Sequence, residues 1–286
     1  MSNKKTISII GLGKMGLGIY NNLNCNQLNL FGYDIDPKVI KKNTHINFLD
    51  INKILLISDV IIIVIQSNTQ IIPLLKSKKI KKNTVFLDLT TSLPKNTIQI
   101  AKFLKNININ YFDAAMSGGA IGARDGTLTL MIGAEKEQLK ENEFILGLIA
   151  KNIFYYGKVG SGHSIKLLHN SVCHGIFLMM CEVGQLGEEM GINLYDLIAT
   201  FNVSNARSFI SEERFPKHIL NNKFDGNSYL KNLKKDLEMM QNISIKKNSS
   251  DHYIKLTNML LSKFNKNLDN VDFTNIYKYW QDNIKK

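Results

Sequence analysis

Lys166 and Asn170 stand four residues apart, just past the glycine-rich stretch Gly157-Lys-Val-Gly-Ser-Gly-His163. Apolar residues then recur at helical spacing from Ile165 through Leu167, Leu168, Val172, Ile176, Met180 and Val183 to Leu186. Four residues is about one helical turn, so the amine and the amide share a face. Such a pair can act together on one small polar group. The lysine gives or takes a proton, and the amide holds the atom that carries it. The same two residues also suit a surface lysine and an ordinary helix start, so the elements around them must decide.

A second constellation is Ser117-Gly-Gly-Ala-Ile-Gly-Ala-Arg-Asp-Gly-Thr-Leu128. The hydroxyl of Ser117 and the exposed backbone N–H groups of Gly118 and Gly119 suit a carboxylate. A long glycine-rich turn is the plainer reading of the same residues.

The third is Gly11-Leu12-Gly13-Lys14-Met15-Gly16. It follows the apolar run Thr6-Ile-Ser-Ile-Ile10 and precedes the helical spacing Leu17, Ile19, Tyr20, Leu23. Strand, G-x-G-x-x-G and helix in that order form a dinucleotide cradle. Gly11 permits the tight turn, Gly13 lets the backbone approach a pyrophosphate, and Gly16 lets helix and strand pack closely. Leu12 and Met15 are counted with the glycines as cofactor-binding positions. The next strand, Leu28 to Tyr33, ends in Asp34, where an acid would accept hydrogen bonds from the adenosine ribose. Asp34 would repel a 2′-phosphate, which favours NAD over NADP, although Lys38, Lys41 and Lys42 are near in sequence. Asp34 also fits a helix cap ahead of Pro37.

Strands and helices alternate from there. Strands are expected at Val60–Ile65, Val85–Leu89 and Tyr111–Ala115, an exposed-edge strand at Thr127–Ile132, and a last one at Ile153–Tyr156. Helices are expected at Ile71–Leu75, after Pro94, and over Glu135–Ala150. Thr91, in Asp88-Leu-Thr-Thr-Ser-Leu-Pro94, either contacts the cofactor or helps cap the helix that Pro94 starts. The order predicts an α/β fold, a Rossmann-type doubly wound parallel sheet over residues 1–161. After the long helix only helical spacing remains: Leu194–Phe201, Ser211–Leu220, Ser228–Gln241, Tyr253–Phe264 and Thr274–Trp280. Residues 162–286 are therefore expected to form an all-α second domain for substrate and dimer contacts, with substrate in the cleft between the domains.

Composition limits the alternatives. At 286 residues, 44% hydrophobic and 21% charged, the chain reads as a globular protein of one large or two ordinary domains. No apolar run reaches membrane-spanning length, and the stretch Met1–Lys5 leads into no signal-peptide core. Three cysteines argue against a disulfide framework, which points to the cytoplasm. The formal charge of +12 invites nucleic acid, but the lysines are dispersed and the arginines are only Arg124, Arg207 and Arg214. The densest run, Lys76 to Lys82, reads as a solvated loop. His163, His169 and His174 lack the spacing of a helical metal pair, so no metal is expected.

These motifs, with Asp113-Ala-Ala-Met-Ser-Gly-Gly119 and Lys235-Asp-Leu237, fall in one order over nearly the whole chain. In that order the sequence resembles the β-hydroxyacid dehydrogenases, which include 3-hydroxyisobutyrate dehydrogenase, tartronate semialdehyde reductase and, more distantly, 6-phosphogluconate dehydrogenase. The resemblance implies hydride transfer between NAD or NADP and a small 3-hydroxyacid or its semialdehyde. It makes Lys166 and Asn170 catalytic, Ser117, Gly118 and Gly119 carboxylate-holding, and Lys235 a contact of substrate and cofactor, with Asp236 beside it. Thr91 matches a cofactor-contacting threonine. It also implies a homodimer or homotetramer joined through the helical domains. The chain departs from the family in having His169 where an Asn is frequent and Ser228 where many members carry Phe. Reduction of tartronate or succinic semialdehyde is the alternative within the family. An imine reductase is another reading of the fold, and a non-catalytic dinucleotide-binding regulator is a reading of another class.

Overall fold

The computed structural model describes residues 4–284. Residues 1–3, part of the N-terminal stretch considered above for a signal peptide, lie outside the described residues, as do 285 and 286. The chain divides into two compact units, one ending at Lys166 and the other beginning at Leu167.

The first unit carries a seven-stranded sheet: β1 (Lys5–Ile10), β2 (Leu28–Tyr33), β3 (Val60–Ile63), β4 (Val85–Asp88), β5 (Asn110–Ser117), β6 (Leu128–Ile132) and β7 (Ala150–Tyr155). Its helices are α1 (Lys14–Leu23), α2 (Pro37–Lys42), α3 (Ile51–Ile57), α4 (Ile71–Leu75), α5 (Pro94–Lys105), α6 (Gly119–Asp125) and α7 (Glu143–Ile149). The strand order is β2-β1-β3-β4-β5-β6-β7. From β1 the chain crosses to β2 on one side and then to β3 on the other, so the ends of β1 and β3 form the switch point where such sheets bind ligands. In β3, Val60 and Ile62 enter one core and Ile61 and Ile63 the other. Burial on both faces explains why this strand is apolar without alternation.

Three expectations are corrected. The sheet is parallel from β2 through β5, but β6 runs antiparallel to β5 and β7 follows β6. β6 is not an edge strand, since it pairs on both sides; β7 forms that edge. The stretch Ser117–Leu128 is not only a loop, because α6 lies within it. Gly118 and Gly119 turn the chain at φ of +125° and +62°, Ala-Ile-Gly-Ala-Arg then winds, and Gly126 ends the helix at a φ of +67°. The last turns have a further difference: Lys136–Asn142 is a 3-10 segment ahead of α7, and Ala150 already belongs to β7.

A 29-residue helix, α8 (Ser161–Glu189), begins in the first unit and runs on in the second. The second unit adds α9 (Leu194–Asn202), a π-helical segment Ile210–Ile219 containing Pro216, α10 (Leu230–Lys247), α11 (His252–Ser262), a 3-10 turn Phe273–Ile276, and α12 (Trp280–Ile284). Its core gathers Phe177, Phe215, Leu237, Phe264, Phe273 and Trp280, with Phe177 edge-on to Phe273 at 4.9 Å. No helix among the described residues is long and apolar enough to cross a membrane.

Candidate active site

The glycine loop after β1 is shaped by what a side chain would strike. At Gly11, with a φ of +92°, a Cβ would fall 2.3 Å from the Val64 carbonyl oxygen just past β3. At Gly16 it would fall 1.9 Å from the oxygen of Gly11. At Gly13 a Cβ meets nothing within 4 Å, and Gly13 caps α1 without any side-chain acceptor for the helix's first N–H groups. Loop and helix end thus leave open space in front of the first N–H groups of α1, which point out of the helix, the shape and charge that a pyrophosphate fits. Leu12 is buried, and Met15 packs on the core beneath the loop.

Asp34 closes this cradle from β2. Its Oδ2 accepts from the Leu12 N–H at 2.7 Å and its Oδ1 from the Asp36 N–H at 2.8 Å. The cap ahead of Pro37 is Asp36, which accepts from Lys38. A carboxylate has about four acceptor sites, so Asp34 retains capacity for ribose hydroxyls. Thr91 sits half-buried on the loop after β4, where the Thr90 N–H donates to Asp88 at 3.0 Å. These features fit the adenosine and pyrophosphate ends of a nicotinamide dinucleotide.

Ser117 is the last residue of β5, opposite Thr129 of β6, and Gly118 and Gly119 follow at the start of α6. A Cβ at Gly119 would meet nothing within 4 Å. A serine and two glycines thus follow one another at one strand end, with open space at Gly119.

Lys166 and Asn170 lie one turn apart on α8 and are buried, at 9% and 7% exposure. In the second unit, Asn170 donates Nδ2 to Asp236 Oδ2 of α10 at 2.6 Å. Its Oδ1 lies 2.9 Å from Nδ1 of His169, which donates in the tautomer protonated there. The amide is thereby gripped at both ends. Lys235 Nζ stands 3.9 Å from Asp236 Oδ1. The structure thus joins Asn170, Lys235 and Asp236, three residues picked from sequence for separate duties.

His174 lies four residues past Asn170 on α8, one further turn along. Its Nε2 stands 3.8 Å from Asp236 Oδ2, an ion-pair distance too long for a hydrogen bond. That nitrogen and Asp236 Oδ1 are both buried without a hydrogen-bond partner. Burial pulls the imidazolium pKa down, but the Asp236 carboxylate, helped by the Cys173 sulfur, outweighs it and holds the pKa above the ordinary value. The signal was the helical stripe Lys166, Asn170, His174, but its partner is remote in sequence. Among the described residues, no three His, Cys, Asp or Glu side chains gather as a metal would need.

Comparison with known proteins agrees with this architecture. Residues 6–157 match the family model described as the NAD-binding domain of 6-phosphogluconate dehydrogenase. Residues 160–280 match the one described as the NAD-binding of NADP-dependent 3-hydroxyisobutyrate dehydrogenase. The 2-(hydroxymethyl)glutarate dehydrogenase of Eubacterium barkeri is 31% identical over 157 residues, 55% of this chain; the chain spans about half of that relative, 52% of its length. The mitochondrial 3-hydroxyisobutyrate dehydrogenase of Bos taurus is 28% identical over 229 residues, covering 76% of this chain and 67% of the relative. The fold is that of the Mycobacterium tuberculosis 3-hydroxyisobutyrate dehydrogenase solved with L-serine, with a TM-score of 0.88 and 19% identity over 98% of this chain and 100% of that one. With one family model covering more than half of the chain and a second most of the remainder, the chain belongs to the β-hydroxyacid dehydrogenase family.

Proposed function

We propose that this protein is an NAD(P)-dependent dehydrogenase that interconverts a small 3-hydroxyacid and its semialdehyde. The observation that carries the reading is the buried pair Lys166 and Asn170, one turn apart, with the amide of Asn170 fixed by Asp236. A lysine needs such a fixed partner if it is to meet one oxygen atom in one orientation.

Bound nicotinamide supplies the hydride acceptor for oxidation and the hydride donor for reduction. In oxidation, Lys166 Nζ takes the hydroxyl proton as the carbinol carbon loses its hydride. In reduction, the same nitrogen returns a proton to the carbonyl oxygen. Asn170 keeps that oxygen in line with the amine. Ser117, with the N–H groups of Gly118 and Gly119, holds the carboxylate, and the family resemblance assigns Lys235 to the substrate as well. Gly11, Leu12, Gly13, Met15, Gly16, Asp34 and Thr91 hold the dinucleotide, and the family resemblance assigns Lys235 and Asp236 to the cofactor as well. Asp34 favours NAD, because a 2′-phosphate would meet its carboxylate.

Ser228, small and polar, favours a substrate bulkier or more polar than hydroxyisobutyrate, and the dicarboxylate in the name of the Eubacterium barkeri relative is one such class. We also propose a homodimer or homotetramer. Leu168, Val172, Ile176, Met179 and Leu186 form an exposed apolar stripe along α8, which supports contact with a second copy. We place the enzyme in the cytoplasm, and three cysteines without a disulfide among the described residues suit a reducing compartment. The test is a panel of C3 to C5 hydroxyacids and semialdehydes assayed with NAD and NADP. Turnover of a 3-hydroxyacid or its semialdehyde supports the reading; cofactor binding without turnover of any of them favours the regulatory module.

A further inference from the structure

The start of α8 cannot cap itself. Its N-cap position is Gly160, which has no side chain, and Ser161 and Gly162 follow. The missing acceptor comes from Asp113 of β5, whose residue is fully buried. Asp113 Oδ1 accepts from the Gly160 N–H at 2.7 Å, and Oδ2 accepts from the His163 N–H at 2.8 Å. In a capping box, the N-cap and N3 side chains satisfy each other's N–H groups. Here one carboxylate, 47 residues from Gly160 and 50 from His163 in sequence, does both.

The seat for this carboxylate is cleared by two glycines. A Cβ at Gly133 would fall 2.2 Å from Asp113 Oδ1. A Cβ at Gly162 would fall 3.0 Å from Oδ2 and 2.2 Å from the Met131 carbonyl oxygen. Gly162 of the glycine-rich stretch is a helical residue needed for close approach. A second lock meets the same turn: His163 Nδ1 lies 2.7 Å from Thr97 Oγ1 of α5, both residues being fully buried. Thr97 Oγ1 in turn accepts from Asn68 Nδ2 at 3.3 Å.

Main chain and side chain of the first turn are thus held from two directions, at a point three residues before Lys166. The strand that supplies the carboxylate runs on four residues to Ser117. One rigid element therefore carries both the carboxylate-holding end and the clamp on the lysine's helix. We propose that Asp113 is a positioning residue, which sets the rotation and height of α8 so that Lys166 meets a substrate held at Ser117. Thr97 is its weaker counterpart, acting through His163. This rests on the reading of Lys166 as the proton-transferring group.

Loss of a cap that only stabilises would lower stability and leave turnover per folded molecule intact, so a double-mutant cycle separates the two roles. Asp113→Asn keeps the shape but turns an N–H donor toward a backbone donor. The expected loss in kcat is about 10- to 100-fold, the range that small misplacements of a reacting group produce, with NADH affinity unchanged by fluorescence titration. Thr97→Val is expected to lower kcat by a smaller factor, and it carries the test if Asp113→Asn does not fold. In a Lys166→Ala background, assayed at high enzyme concentration for its residual rate, neither substitution should lower kcat further, because residues that act through one group do not add. Equal fold-losses in both backgrounds, or unchanged kcat in a folded Asp113→Asn or Thr97→Val protein, would overturn the positioning role. Full turnover in Lys166→Ala alone would instead overturn the assignment of the lysine, and the inference with it.

Discussion

Asn170 donates to Asp236 at 2.6 Å across 66 residues of sequence, tying the middle of α8 to α10. The same carboxylate faces His174 and Lys235, so one buried acid organises three polar side chains. Asp236→Asn keeps the volume but removes the charge. It is expected to lower stability by about 1–3 kcal/mol, the usual penalty for a spoiled buried hydrogen bond, and to lower kcat through a misoriented Asn170. Urea unfolding and steady-state kinetics on one preparation check both effects. An unchanged kcat would remove Asp236 from the support of the amide.

The His174–Asp236 pair predicts a pH dependence of stability. The folded pKa of His174 is raised, so the protonated imidazole stabilises the fold. That contribution is complete below the unfolded value of about 6.5 and is lost as pH rises through the folded value above it. Unfolding free energy should therefore fall across the window above about pH 6.5. His174→Asn should flatten that fall. Urea titrations of both proteins at pH 6 and pH 8.5 measure it, and parallel pH slopes would contradict the pairing.

Gly13 and Gly16 should fail for different reasons. Gly16→Ala places a Cβ against the Gly11 oxygen and should disrupt the loop itself, lowering the melting temperature. Gly13→Ala meets open space at a φ of −64°, so stability should change by less than about 0.5 kcal/mol. Its methyl group would instead crowd the pyrophosphate, and dinucleotide affinity should fall on the order of tenfold or more. Differential scanning fluorimetry with and without NAD separates the outcomes. Normal binding by Gly13→Ala would place the cofactor elsewhere.

Asp34 should set cofactor choice. The native protein should bind NAD more tightly than NADP, and Asp34→Ser should narrow the gap by removing charge repulsion. Fluorescence titration with NADH and NADPH tests this. An NADP preference in the native protein would contradict the role given to Asp34.

Features that depend on neighbours in sequence were legible before the structure. The tight turn at Gly11 and the close packing at Gly16 follow from a strand on one side and a helix on the other. β3 was legible as an apolar run, because both its faces are buried. The failures are non-local or conformationally ambiguous. Gly118 and Gly119 disguised α6, since glycine signals a loop even when it only turns the chain into a helix. Strand direction at β6 is set by its pairing with β5, which its own residues do not encode. The duties of Asp113 and His174 rest on partners carried by other elements, 47 and 50 residues away for Asp113 and Asp236 of α10 for His174, where spacing gives no signal. His169 stood out as a departure from a family pattern, but its contact with Asn170 Oδ1 needed coordinates.

The most direct test is turnover of the best 3-hydroxyacid substrate by Lys166→Ala, with NADH affinity measured in parallel. Removing a general acid–base group is expected to lower kcat by about 10²–10⁴-fold while leaving NADH affinity as it was. Native-level turnover by this variant would contradict the account, and the protein would then be a dinucleotide-binding fold whose chemistry lies with other residues.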